Sequence, residues 1–293
     1  MGATKAGKSS FINMVLKEVG SVDRLLIGNE LASCTVNLRD VEVKVLRSDN
    51  AALEGRRVTL VDTPGFDGTH ASDFEILKQI AEWLEKSCKQ GDVLGGVLYL
   101  HDISRDQISG TARRTFELFN HLCGDACLNK AVLVTTKWGR ANGRDFVARE
   151  AELKGKYWLT MIEKGASTMR LDDEDEGASA LRIVDEMLRR LERPDGQAFL
   201  REVLQIQDEM VRQKKSFPQT EAAKAVRAWY EGMIEAQAEM LKYQAMAAKG
   251  DAEAAAKVRA EEEKLDKLAR DVKKLRLSVG QRFLENTQRL FRS

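Results

Sequence analysis

A G-x-x-x-x-G-K-S string constrains this chain more than any other feature. It runs Gly2-Ala3-Thr4-Lys5-Ala6-Gly7-Lys8-Ser9 and opens a segment, Ser10 to Lys17, in which Phe11, Ile12, Val15 and Leu16 recur at helical spacing. Gly2 and Gly7 permit backbone turns that a Cβ would block, so successive N–H groups can converge on phosphate oxygens. Lys8 supplies a point charge to the β and γ phosphates, Ser9 a hydroxyl to magnesium, and the helix N-terminus points at the anion. The chain therefore reads as a nucleoside triphosphate binder. Only Met1 precedes the loop, where a buried strand normally stands. The expected fold is an α/β, doubly wound P-loop NTPase sheet with its first strand missing, followed by an all-α extension.

The alternation of short β-rich apolar runs with helical patterns up to about Leu191 supports that sheet. Beyond Pro194-Asp195-Gly196 the strand signal stops and Ala, Glu, Lys, Leu and Gln dominate. The boundary is placed at Glu192 to Gly196, giving a nucleotide domain over 1–192 and a helical hairpin or coiled-coil extension over 197–293. The balance of 47 basic and 46 acidic residues argues against a nucleic-acid surface spread over the molecule. Four cysteines, no signal peptide and no apolar run long enough to span a bilayer read as reduced thiols of a cytoplasmic protein. Cys123 and Cys127, with His121 nearby, read as helix-end packing rather than a zinc site.

A second motif supports the first. Val41 to Leu46 and Arg57 to Val61 read as two strands paired across the Ser48 to Gly55 turn, and the second ends on Asp62-Thr63-Pro64-Gly65. In this D-x-x-G arrangement Asp62 holds magnesium through water and the Gly65 N–H senses the γ-phosphate. Thr35, in the polar stretch before the first of these strands, stands where a switch hydroxyl closes over magnesium, and it also reads as a plain strand-entry threonine. Val93 to Leu100 delivers His101-Asp102-Ile103-Ser104, and Ala131 to Val134 delivers Thr135-Thr136-Lys137-Trp138. All these segments leave the carboxyl ends of strands, as ligand loops of open α/β sheets do. A last strand, Gly165 to Leu171, precedes the acidic run Asp172 to Glu176, which reads as a solvated turn.

Together G-A-T-K-A-G-K-S-S, S-C-T, V-D-T-P-G-F, Y-L-H-D-I and V-L-V-T-T-K-W resemble the septin-like and immune-associated (avirulence-induced type) GTPases, and short fungal-type G-domain proteins with a T-T-x-W base loop. The resemblance covers about residues 1–190. It implies a guanine nucleotide, GTP, with Mg2+, switch loops around Thr35 and Gly65, and slow or partner-stimulated hydrolysis. On it, Gly2 to Ser10 (Ala3, Thr4, Lys5, Ala6 and the rest) cradle phosphates, Ser9, Thr35 and Asp62 serve the metal, and Thr135, Thr136, Lys137 and Trp138 face the base.

Two departures qualify that carry-over. The guanine-reading loop is N/T-K-x-D; Trp138 is read at the acid's place with Gly139 following, so no carboxylate accepts from the base and selectivity over ATP is weakened. Phe66 follows D-x-x-G where small GTPases carry the water-orienting glutamine, so hydrolysis is slow or borrows a group such as Asp67, His70, His101 or one from a second protomer. In the extension, Val226, Trp229, Met233, Ala236, Met240, Tyr243 and Ala247, then Leu265, Leu268, Val272, Leu275 and Val279, form heptad-like stripes that bury against one another or against a second chain. The expected function is a GTP-binding switch. Its rivals are a nucleotide-bound scaffold with little turnover and an ATPase. A homodimer or helical partner is expected, with no transmembrane segment.

Overall fold

The computed structural model describes residues 1–26, 37–43, 57–66, 72–105, 108, 110–140, 145–172, 174–190, 196–247 and 252–275. The readings made on Thr35, on the Ser48 to Gly55 turn and on Asp67 and His70 lie outside them. The chain forms two compact units, Met1–Gln213 and Lys214–Ser293.

In the first unit, β1 (Arg39–Val43) pairs antiparallel with β2 (Val58–Asp62). The strands β3 (Val97–Asp102), β4 (Ala131–Thr136) and β5 (Ser167–Arg170) form a parallel sheet in the order β3-β4-β5. Gly2 bridges Leu100 of β3 in parallel and Ala3 bridges Phe66, just past β2. The residues entering the P-loop thus stand between the two sheets, in the place of a central strand. A Cβ on Gly2 would come within 2.3 Å of the Leu100 carbonyl oxygen, and its φ of +134° is one that residues with side chains rarely adopt.

Both faces of the parallel sheet are covered, which is why β4 is apolar throughout and Ala131 to Val134 are fully buried. On one face α1 (Lys8–Glu18) and α6 (Glu176–Arg189) bring Phe11, Val15, Leu16, Ile183 and Val184 against Leu100, Val132 and Val134. Side chains alternate along a strand, so Tyr99 points the other way. There it meets Phe116 and Phe119 of α3 (Gly110–Cys123) at 5.3 and 5.0 Å between ring centroids. The helix α2 (Asp73–Gln90) opens on a capping box, Ser72 with Glu75, and ends on left-handed Gly91. After β4 the chain runs through α4 (Phe146–Glu152), a π turn over Leu153–Tyr157, and α5 (Leu159–Glu163). The acidic run has a structural part: Asp175 caps α6 by accepting from the Ala178 N–H.

The first unit extends beyond the boundary read from the sequence. Residues 197–213, assigned there to the extension, include α7 (Gly196–Arg201) and α8 (Gln205–Gln207) and belong with the nucleotide domain. The buried Lys130 amine donates to the Glu202 carbonyl at 2.7 Å and to the Leu94 carbonyl at 3.1 Å. Cys127 Sγ donates to the Val203 carbonyl, and the buried Gln207 amide to the Leu84 carbonyl. These bonds satisfy groups that burial would otherwise leave unpaired. Phe199, Val203, Ile206 and Met210 recur at helical spacing, and the face they mark serves the first unit.

In the second unit α9 (Glu221–Ala247) and α10 (Ala252–Leu275) pack on each other across a short connection. Val226, Val272 and Leu275 are buried as their spacing implies, with Leu265 and Leu268 half-buried. The α9 stripe differs from expectation. Met240 is 61% exposed, whereas Tyr230 and Leu241 are buried, because over a helix this long the 3.6-residue turn carries a strict heptad off the buried face. Val279 lies outside the described residues.

Candidate nucleotide site

The P-loop is held by side chains and backbone from three strand ends. Gly7 takes a left-handed conformation (φ 96°) and starts α1, so the helix N-terminus faces the loop. The Lys8 ammonium donates to the carbonyls of Ala3 at 2.8 Å and Gly2 at 3.2 Å, folded across the loop whose phosphates it would serve. The Ser9 hydroxyl donates to Asp62 Oδ2 at 2.6 Å, and Asp62 is 2% exposed. A hydroxyl beside a carboxylate is a hard oxygen donor set, the kind Mg2+ takes, so these two residues fit the ion. Ser10 sits in the first turn of α1, half-buried.

Gly65 lies on the loop itself. A Cβ there would stand 2.5 Å from Thr4 Cα and 2.6 Å from Thr4 N, a contact that needs backbone to move. The Thr4 N–H donates to the Phe66 carbonyl at 3.0 Å, while the Phe66 ring is fully buried. Phe66 thus fixes the P-loop against β2, and its ring offers nothing to water. His101, one of the proposed water-positioning groups, turns away as well: its ring packs on Phe116 and Trp158 at 5.6 and 6.0 Å.

The base loop is tied to the P-loop although the two are far apart in sequence. Thr136 Oγ1 donates to the Ala6 carbonyl at 3.0 Å. Lys137, left-handed at φ 65°, donates from Nζ to the Lys5 carbonyl and to Asp102 Oδ2, both at 2.6 Å. Lys5 is itself left-handed at φ 64°, with its side chain exposed. Burial alone would raise the Asp102 carboxyl, but Lys137 and Ser104 hold it below the usual carboxylate range. This placement of Lys137 corrects the register of the motif. Lys137 is the lysine of N/T-K-x-D, so Trp138 is the x residue and Gly139 stands at the acid's place; the acid is still missing.

Two residues assigned to the base act differently. Thr135 is fully buried and accepts the Trp138 indole N–H at 3.1 Å while donating to Glu150 Oε1 at 3.3 Å. The Arg170 guanidinium lies over the Trp138 ring, 4.2 Å from its centroid, and pairs with Glu150 Oε2 at 2.5 Å. Burial would raise the Glu150 carboxyl, but Arg170 and Lys154 hold it low. One face of Trp138 is therefore taken by Arg170, and Thr135 supports it from below. Sequence reasoning passed over Glu150, Arg170 and Arg105. An acid in the middle of an amphipathic helix was the only available signal for Glu150.

A family model described as 50S ribosome-binding GTPase matches residues 1–137, a little under half of the chain. This first part of the chain is a P-loop GTPase G domain. No curated protein matches the sequence. Among solved structures, the chain is similar to Toc33 from Arabidopsis thaliana in complex with GDP and Mg2+, at 13% identity and a TM-score of 0.46 over 65% of this chain and 81% of that one. It is similar to the same protein with Mg2+ and GMPPNP, at 15% identity and a TM-score of 0.47 over 65% and 83%. It is also similar to translation elongation factor SelB from Methanococcus maripaludis with GPPNHP, at 14% identity and 0.40 over 64% and 32%.

Proposed function

We propose that this protein is a guanine-nucleotide switch that binds GTP with Mg2+ and hydrolyses it slowly. The observation that carries the reading is the Ser9 hydroxyl 2.6 Å from Asp62 beneath a loop in which Lys8 is already aimed inward. Lys8 and the loop N–H groups hold phosphates, Ser9 and Asp62 hold the metal together with Thr35, and Gly65 reports the γ-phosphate. Bound Mg2+ would neutralise charge on the phosphates. Lys137 and Thr136 position the base, with Trp138 at its edge. The motif string supports a septin-like or immune-associated kind of G domain. The helical unit is the readout, through a second copy or a helical partner, and the composition supports a cytoplasmic setting. No helix among the described residues is long and apolar enough to cross a membrane.

Lys8→Ala should weaken GTP binding at least tenfold, about 1.4 kcal/mol, measured by titration calorimetry. Unchanged affinity would remove the P-loop from the mechanism. Competition of labelled GTP by ATP in the same assay should show a guanine preference weakened by the missing acid, and equal competition would move the protein to the ATPase class. The scaffold reading is favoured by one specific observation, the burial of Phe66 where a water-orienting side chain would stand.

A further inference from the structure

Asp102 is a buried acid to which the nucleotide reading gives no task. It ends β3 in register with Thr136 of β4, and the Ile103 N–H donates to the Thr136 carbonyl at 3.1 Å, so the end of β3 is fastened beside the base loop. The Asp102 side chain is 7% exposed. Both carboxylate oxygens are committed: Oδ1 accepts the Ser104 N–H at 3.0 Å and its hydroxyl at 2.6 Å, and Oδ2 accepts the Lys137 ammonium at 2.6 Å. The Arg105 guanidinium stands further off, 4.0 Å from Oδ2. Held by Ser104 on one side, the carboxylate is a fixed point against which Lys137 is drawn.

Lys137 thus has two anchors of unequal kind. The Lys5 carbonyl, also at 2.6 Å, ties it to the P-loop, and Asp102 ties it to β3. A lysine stem samples many rotamers when free, and a ligand packing on it must meet the cost of ordering it. The bond to a carboxylate is charge-assisted and stronger than one to a neutral carbonyl. With its head held by both, the stem is already ordered between β4 and the P-loop, and a base packing on it does not have to order it. The rest of the base loop offers less. Thr135 is fully buried, one face of Trp138 lies under Arg170, and Gly139 has no carboxylate to grip a base. The Lys137 stem is therefore the main surface on which this loop would seat a base.

We propose, on the guanine-nucleotide reading above, that Asp102 is a positioning residue: it holds the Lys137 stem where the base packs and sets affinity at the base end without touching the phosphates.

The test measures GDP binding by titration calorimetry for the parent, Asp102→Ala, Lys137→Met and the double variant, each checked for folding by circular dichroism. Asp102→Ala should raise the Kd about tenfold, the range of a lost bond to a charged group. Because Asp102 acts through Lys137, the double variant should bind no more weakly than Lys137→Met alone. The Ki of inorganic tripolyphosphate, which carries no base, against labelled GDP should stay within about twofold of the parent value in Asp102→Ala. An unchanged GDP Kd in Asp102→Ala, additive losses in the double variant, or an equal loss for tripolyphosphate, the mark of a P-loop that has merely loosened, overturns the proposal. Lys8→Ala keeps the two readings apart: a parent that binds GDP and loses it in Lys8→Ala upholds the nucleotide reading whatever Asp102→Ala does, whereas a parent that binds no GDP removes both. Should Asp102→Ala fail to fold, Asp102→Asn, which keeps the shape and loses the charge, should raise the Kd about threefold or more, and no change overturns the proposal equally.

Discussion

Lys137 is the side chain whose removal should expose how the site is built. Its ammonium makes two charge-assisted bonds of 2.6 Å, to the Lys5 carbonyl and to Asp102 Oδ2. The lysine side chain is 20% exposed and that of Asp102 is 7% exposed, so screening is slight at the acid. Breaking a buried pair costs about 3–5 kcal/mol when the remaining charge is stranded. Asp102 is not wholly stranded, since the Ser104 N–H and hydroxyl still donate to Oδ1 at 3.0 and 2.6 Å. Lys137→Met should therefore destabilise the first unit by about 2–3 kcal/mol. Adding Asp102→Asn should recover most of that, because the uncompensated charge disappears. The assay is a double-mutant cycle by urea unfolding. The Asp102 carboxyl is held low when folded, so its stabilisation is present above the unfolded value of about 3.9 and lost as pH falls through the folded one. Wild type and Lys137→Met should accordingly converge in stability in strong acid. A cost below about 0.5 kcal/mol at neutral pH, the range of an exposed pair, would refute the argument.

Other outcomes follow from single contacts. His101, held neutral with a pKa near 4 by burial first, binds a proton in the unfolded chain before the folded one. Stability should be full above the unfolded value of about 6.5 and fall by about 3 kcal/mol towards pH 4, a slope that His101→Gln should flatten in pH-dependent melts. Gly65→Ala puts a Cβ 2.5 Å from Thr4 Cα; it should cost about 1–3 kcal/mol and weaken GTP binding, and a variant that melts and binds like the parent would show that the two loops do not touch. Single-turnover hydrolysis should run on the order of 10⁻⁴ per second. If a second copy completes the site, the specific rate should rise with protein concentration and Leu268→Glu should remove the rise, whereas a fast, concentration-independent rate would place a water-positioning group in the same chain.

The motifs were legible because their chemistry is local. A glycine-rich loop, a strand ending in Asp62 and a buried apolar run such as Ala131 to Val134 carry their reasons within a few residues. The pairing of β1 with β2 followed from two β-rich runs on either side of one turn. What could not be read depended on residues brought together by the fold. Nothing near Lys130 in the chain says that its amine will hold the Glu202 carbonyl, so the period of residues 197–213 was given to the wrong unit. Nothing near Trp138 says that Arg170 will cover one face of it, and the residue was read only as facing the base.

The same bonds explain why the P-loop and the base loop act as one body. Lys5 and Lys137 both hold left-handed backbone that costs a residue with a side chain about 1–2 kcal/mol, and they are the two ends of one hydrogen bond. Such strain persists only where the surroundings over-determine it. Here Thr136 on Ala6, Lys137 on Lys5, Arg105 on Thr4 and Phe66 on Thr4 do so from three strand ends. With no acid at Gly139 to grip the base, binding energy must come chiefly from this laced loop and the phosphates it faces. On the proposed function, nucleotide recognition is therefore weighted towards the phosphate end, and the contacts that fasten Thr4, Lys5 and Ala6 bear on affinity beside the residues that would touch the nucleotide.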